Sequence, residues 1–251
     1  MVETFYTLPG APYLALLGDF HNGNPDPILT SLKKHMPSVI CIAGDLIYAY
    51  PPENSLLTDQ QKNVLPFLKG CAEIAPAFMC LGNHESILGD EDLDRIRQTG
   101  VILLDNEWTE WNGMHIGGLT SHYVLNQRAS RAAHTAGGKN LRDPDPSSEI
   151  IKKPDLSWVS ATLPSGYKIL LCHHPEYLPL IPSGIDLICA AHAHGGQWRL
   201  FGRGLFAPGQ GWFPKYTSGI YEGRMVVTRG LTNMARVPRI NNPTEVVYIN
   251  R

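Results

Sequence analysis

The chain has no excess of either charge: among 251 residues, 21 basic against 23 acidic residues leave a formal net charge of -2, and only 18% of residues are charged. Global attraction for nucleic acid or an anionic membrane is thereby excluded, and no sequence-specific nucleic-acid binding is expected. Any anion must be held by a local constellation. Cysteine is scarce and odd in number, with Cys41, Cys71, Cys80, Cys172 and Cys189 forming no Cys-x-x-Cys pair and lying in or beside apolar stretches. That pattern speaks against a disulfide framework or a zinc-cysteine site and suits buried thiols in a reducing, cytoplasmic setting. No apolar run is long enough for a membrane span, and no basic segment precedes a hydrophobic stretch at the N-terminus. Neither a signal peptide nor a transmembrane segment is expected, and peripheral membrane contact stays open.

What the chain does contain is one arrangement used repeatedly: a short apolar run, a small residue, then a side chain able to bind metal. Leu14 to Leu17 lead to Gly18 and Asp19, Val39 to Ala43 lead to Gly44 and Asp45, and Ala77 to Leu81 lead to Gly82 and Asn83. Further on, Ile169 to Cys172 lead to His173, and Ile185 to Ala191 lead to His192. Continuous apolar runs of this length predict strands covered on both faces, and ligands in such sheets collect beyond the carboxyl ends of the strands. Small residues there let backbones and a bound group approach closely. Helices are expected at about Pro27 to His35, Thr58 to Leu68 and Asp90 to Gln98. Short strands follow at Val101 to Asp105, Glu107 to Trp111 and His115 to Leu119, with Asn112-Gly113 as a hairpin turn. Further strands are expected at Lys168 to Cys172, Ile185 to Ala190 and Arg224 to Thr228. The expectation is a single α/β domain over residues 1–251, with two packed sheets of mixed direction flanked by helices.

Residues 126–154 break this pattern, carrying Arg128, Arg131, Lys139, Arg142, Lys152 and Lys153 among small and polar residues. They read as a flexible insertion, a flap whose basic residues pair with an extended phosphate-bearing substrate.

In Asp19-Phe20-His21 the polar side chains are two apart, so at a strand end both point to one side; His192 and His194 repeat this spacing. With Asp45, Asn83 and His173 they make seven ligands of mixed oxygen and imidazole character, too many for one tetrahedral zinc. The set suits two first-row divalent ions sharing the Asp45 carboxylate. Two such ions, less the charges of Asp19, Asp45 and a bridging hydroxide, leave a site of about +1, for which a phosphoryl oxygen is the natural guest. His84 follows Asn83 directly and falls outside the ligand set, as a proton donor to a leaving oxygen, with Glu85 as its orienting partner. Of the adjacent pair after Cys172, His173 is chosen because it directly follows the apolar run, and His174 is the alternative.

The ordered blocks GDFH, GDLIY, GNHE, LLCHHPE and AHAHGGQ, spanning residues 18–197, resemble the calcineurin-like metallophosphoesterases. The resemblance implies a four-layer αββα sandwich and a dinuclear centre of Mn, Fe or Zn. It also implies hydrolysis of a phosphate mono- or diester, or a pyrophosphate, by a metal-bridging hydroxide. By motif position one ion takes Asp19, His21, Asp45 and His194, and the other takes Asp45, Asn83, His173 and His192. The stretch from His192 to Leu231 is similar to a bacterial subgroup that includes UDP-2,3-diacylglucosamine pyrophosphatases. Ala191 stands where the family usually has Gly. The competing reading is a non-catalytic scaffold of the same fold that binds a protein partner, and such a protein is expected to lose ligands that this chain keeps.

Overall fold

The computed structural model describes residues 1–48, 61–137, 153–161, 164–233, 235 and 237–251. The elements in chain order are β1 (Val2–Thr7), β2 (Leu14–Leu17), α1 (Asp26–His35), β3 (Val39–Ile42), α2 (Val64–Ile74), β4 (Ala77–Cys80), α3 (Asp90–Gln98), β5 (Ile102–Leu104), β6 (Glu107–Trp111) and β7 (Met114–Leu119). There follow α4 (His122–Gly137), α5 (Ser157–Ala161), β8 (Lys168–Cys172), β9 (Leu187–Ala190), β10 (Arg199–Leu200), β11 (Arg203–Gly204), β12 (Phe206–Ala207), β13 (Gly211–Trp212), β14 (Gly219–Tyr221), β15 (Met225–Val227) and β16 (Glu245–Asn250).

Two six-stranded mixed sheets form the centre, in the orders β1-β16-β2-β3-β4-β5 and β14-β15-β9-β8-β7-β6. The strands β2, β3 and β4 run parallel in the first sheet, and β8 and β9 run parallel in the second. Alternation along each strand divides the apolar side chains between two cores. Leu14 and Leu16, with Val39, Cys41, Phe78 and Cys80, face Ile169, Leu171, Leu187 and Cys189 of the other sheet. Ala15, Leu17, Ile40 and Ile42 face the opposite way, onto Leu32 of α1, Phe67 and Leu68 of α2, and Ile96 of α3. The outer face of the second sheet packs on Val159 of α5 and on Tyr177 and Leu178. This is the expected sandwich of two mixed sheets between helices. All five cysteines are buried and free, as their apolar surroundings implied.

Several boundaries depart from the sequence reading. The second helix runs from Val64 to Ile74, not from Thr58 to Leu68, because Pro66 is tolerated only in a first helical turn, where its missing N–H costs nothing. Residues 58–60 lie outside the described residues. The stretch read as an insertion is helical from residue 126 to 137 as part of α4, whose described side chains are mostly half-buried. Arg128 grips Asp105 with two hydrogen bonds of 3.0 and 2.7 Å, and Arg131 donates to the carbonyls of Leu88 and Ile87 at 2.9 Å each. Both arginines therefore fasten α4 to the body of the protein. Lys139, Arg142 and Lys152 lie outside the described residues. Strands β1 and β16 and the ribbons between residues 199 and 212 were not anticipated.

Candidate metal centre

Five of the seven expected ligands leave their strands in the left-handed backbone region: Asp19 at φ 53°, His21 at 42°, Asp45 at 56°, His192 at 65° and His194 at 46°. A non-glycine residue in this region costs about 1–3 kcal/mol when the surroundings enforce a strained conformation, and such residues cluster at functional sites. The surroundings here are specific. Asp19 N–H donates to the Gly44 carbonyl at 3.1 Å and His21 N–H to the Asp45 carbonyl at 3.1 Å, so the turn after β2 rests on the turn after β3. A side chain on Gly82 would collide with Asp45 Oδ1, and one on Gly18 would lie 2.6 Å from the Ala191 methyl. The small residues before the ligands thus let three strand ends crowd together, and Ala191 is accommodated because Gly18 leaves it room.

The seven residues converge. His173 Nε2 lies 3.1 Å from Asp45 Oδ2, 3.1 Å from Asn83 Oδ1 and 3.1 Å from His192 Nδ1. His21 Nε2 lies 4.0 Å from Asp45 Oδ2, and His194 Nδ1 lies 3.8 Å from Asp19 Oδ2. Asp19, His21 and His194 form one group spaced to hold an ion, and Asp45, His173 and His192 form another; His21 and Asp45 also group with His84, and His192 with His174 and Glu176. Asp19 Oδ2 and His21 Nε2 are buried without a hydrogen-bond partner. Buried polar atoms are ordinarily satisfied, so two orphaned atoms in one cluster fit a cation between them. The outer ring nitrogens are anchored: His21 Nδ1 donates to the Ile47 carbonyl at 3.0 Å and His173 Nδ1 to the Ala43 carbonyl at 2.6 Å. That fixes the neutral His21 ring with its Nε2 lone pair inward, and it aims His173 Nε2 at the Asp45 carboxylate.

Electrostatics follow from this enclosure. Burial pushes His21 and His194 down to about 3, with Arg239 adding to the effect on His194, and it holds His192 well below the usual imidazole range. These rings are neutral, the state a ligand needs. Burial opposes charge on His173 as well, but the Asp45 carboxylate raises it to about 10. Burial raises Asp19; at Asp45 the neighbouring His173, and after it His84, overcome burial and keep the carboxyl well below its ordinary range.

His84 borders the cluster, its Nε2 3.8 Å from Asp45 Oδ2 and its ring edge-on to His21 at 4.6 Å between centroids. Its backbone N–H donates to Asp45 Oδ1 at 2.9 Å. Glu85 was expected to orient His84, and the structure gives its carboxylate a different task. Oε2 accepts the N–H groups of Asp45 at 2.8 Å and Gly82 at 2.7 Å, and Oε1 accepts that of Leu46 at 2.7 Å. Glu85 therefore ties the β3 turn to the β4 turn.

His174, the alternative ligand, stands beside the seven: its Nε2 meets Ser121 Oγ at 2.7 Å and its Nδ1 meets Glu176 Oε1 at 3.2 Å. His122 bonds the Tyr177 hydroxyl and lies 5.6 Å from the His174 ring, so it joins this neighbouring network. His35 bonds Glu3, remote from the centre. Gly195 and Gly196, at φ 67° and 77°, form a tight turn against Asn242 and Gly204. One contributor was missed. Arg239 directs Nη2 to His194 Nδ1 at 3.0 Å while Nη1 donates to the Arg229 carbonyl at 2.6 Å. It comes from an irregular segment with no motif, and no spacing in the sequence marks it.

The sequence model described as calcineurin-like phosphoesterase matches residues 13–196, the span that carries all seven residues. Relatives support the same grouping. The Escherichia coli (strain K12) phosphodiesterase YaeI is 26% identical, the match covering 98% of this chain and 84% of the relative. An uncharacterized metallophosphoesterase of Aquifex aeolicus (strain VF5) is 24% identical over 86% of this chain and 74% of the relative. The uncharacterized protein YpbG of Bacillus subtilis (strain 168) is 28% identical over 80% of this chain and 68% of the relative.

Proposed function

Because the chain belongs to the calcineurin-like phosphoesterase family, we propose that it hydrolyses a phosphate ester at a centre of two divalent ions. One ion is held by Asp19, His21, Asp45 and His194, the other by Asp45, Asn83, His173 and His192. The observation that carries this reading is the position of Asp45, whose carboxylate belongs both to a group with His21 and His84 and to a group with His173 and His192. Mn, Fe and Zn suit the mixed oxygen and imidazole donors. When bound, such ions supply Lewis-acid charge to phosphoryl oxygens and a nucleophile at neutral pH.

The chain's own residues do the rest. Asn83 contributes a neutral ligand and so keeps the site cationic, and the Arg239 guanidinium adds positive charge beside His194. His84, next to Asp45 at the edge of the cluster, donates a proton to the departing ester oxygen. Glu85 holds the turns that set Asp45 and Asn83. The similarity to the E. coli phosphodiesterase YaeI favours a diester. Hydrolysis by protein loaded with Mn, Fe or Zn is measured against p-nitrophenyl phosphate, its bis-ester, cyclic nucleotides and UDP-linked sugars. Turnover that chelation abolishes and metal restores is expected, and no turnover with any metal overturns the proposal.

A further inference from the structure

Beyond His194 the chain folds into two small antiparallel ribbons, β10–β11 and β12–β13, that expose apolar surface. Phe201 is 96% exposed, Phe213 80% and Trp212 65%, and Leu200, Phe206 and Ile240 are also open. Single exposed apolar residues need no explanation, but contiguous ones do. Trp212 lies 5.5 Å from Phe206 and 6.4 Å from Trp198 between ring centroids, and Trp198 bridges to Ile240. Leu200, Phe201 and Phe213 line a single groove of about 750 Å³.

Two of these aromatics are held in a costly backbone shape, Phe201 at φ 48° and Phe213 at 54°. Phe201 precedes Gly202 at φ 78° in the turn between β10 and β11, a position where Asn or Gly sits with less strain. A buried ring could offset that cost by packing. Phe201 buries almost nothing, so the strain has no return within the chain.

Charge selects the partner. From Leu187 to Tyr221 the sequence has no Asp or Glu, while it has Arg199, Arg203 and Lys215. Arg203 and Lys215 line the groove and no carboxylate does, among the described residues. Glu222 is the acid that acts on Lys215. Exposed rings interleaved with cations match an anionic bilayer, where rings enter the boundary below the headgroups and cations meet lipid phosphates.

We infer that the β10–β13 face docks on an anionic lipid surface and brings the metal centre to a phosphate ester held there. The link between face and centre is short. The turn joining β12 to β13 passes the site at Gly209, where an added Cβ would lie 3.2 Å from His192 Nε2, while Trp212 ends the outgoing strand and Phe213 follows it. Only the choice of ester rests on the function proposed above, and docking is read without any turnover.

The test is co-sedimentation of the full chain with phosphatidylcholine vesicles with and without phosphatidylglycerol, at low and high salt, beside a measurement of mass in solution. Binding to the phosphatidylglycerol vesicles, weakened by salt, is expected. The double variant Phe201→Asn with Phe213→Asn should lower it by about tenfold or more, and Arg203→Ser with Lys215→Ser by about tenfold. Both variants should keep wild-type hydrolysis of a soluble p-nitrophenyl ester, and the Asn variant should keep or raise Tm because Asn accepts the left-handed region. No binding to phosphatidylglycerol vesicles, or equal binding by the Asn variant, overturns the inference. A dimer that the Asn variant dissociates also overturns it, by assigning the face to a second copy of the chain.

Discussion

His173 Nε2 stands 3.1 Å from Asp45 Oδ2, a contact that joins the end of β8 in one sheet to the end of β3 in the other. The packing of Leu16, Cys41 and Phe78 against Leu171 and Cys189 therefore sets the distance between ligands as well as the stability of the fold. Asp45→Asn should lower occupancy at both ion positions and abolish most activity, because the shared oxygen loses its charge. Metal titration by calorimetry checks this. Loss at one position with full affinity at the other would show that Asp45 does not bridge.

His84→Ala should keep both ions and lower kcat by roughly 10² to 10⁴ for esters with poor leaving groups, the usual contribution of a positioned acid. The defect should shrink for p-nitrophenol esters, whose leaving group departs without a proton. Equal losses for both classes would make His84 a positioning residue or a ligand.

Glu85→Gln places an amide where three backbone N–H groups converge on a carboxylate, leaving at least one of them without its acceptor. Destabilisation of about 2–4 kcal/mol is expected, from weakened charge-assisted bonds and a buried unpaired donor. Urea unfolding of the metal-free protein measures it. A change below about 0.5 kcal/mol, within the range of ordinary surface substitutions, would remove Glu85 from the support of the site.

Glu3 of β1 accepts hydrogen bonds from Ser31 and Lys34 of α1 and pairs with His35 on the same helix. Lys34, His35 and Ser31 together lower its pKa from an ordinary 4.5 to about 2. A depressed pKa means stability that is present above 4.5 and lost as pH falls toward about 2. Glu3→Gln should lower Tm at neutral pH, and the two proteins should converge as pH falls through that window. Parallel Tm curves down to the acid limit would show that the ion pairs add nothing.

The legible parts of the molecule were those whose physics is local. Runs such as Val39–Ile42 and Leu187–Ala190 announce strands because both faces are buried, and Asn112-Gly113 forms its hairpin with φ 49° and 74°. The ligands could be read because an Asp, Asn or His directly after such a run has few other uses. Strands β1 and β16 were not legible: Val2–Thr7 is largely open to solvent, and β16 begins with the buried Glu245, which Arg229 neutralises at 2.5 Å. Glu245 looks like a surface residue until its partner is known. Arg239 and the true task of Glu85 were hidden for the same reason, since both act on backbone groups or side chains supplied by distant turns. The helical course of residues 126–137 was masked by low apolar content, because Arg128 and Arg131 anchor α4 through polar contacts.

The most direct test of the two-ion centre is elemental analysis of the purified, metal-reconstituted, catalytically active protein. Two divalent ions per chain are expected, with activity that falls as they are removed and returns as they are restored. One ion or none in a fully active sample would contradict it.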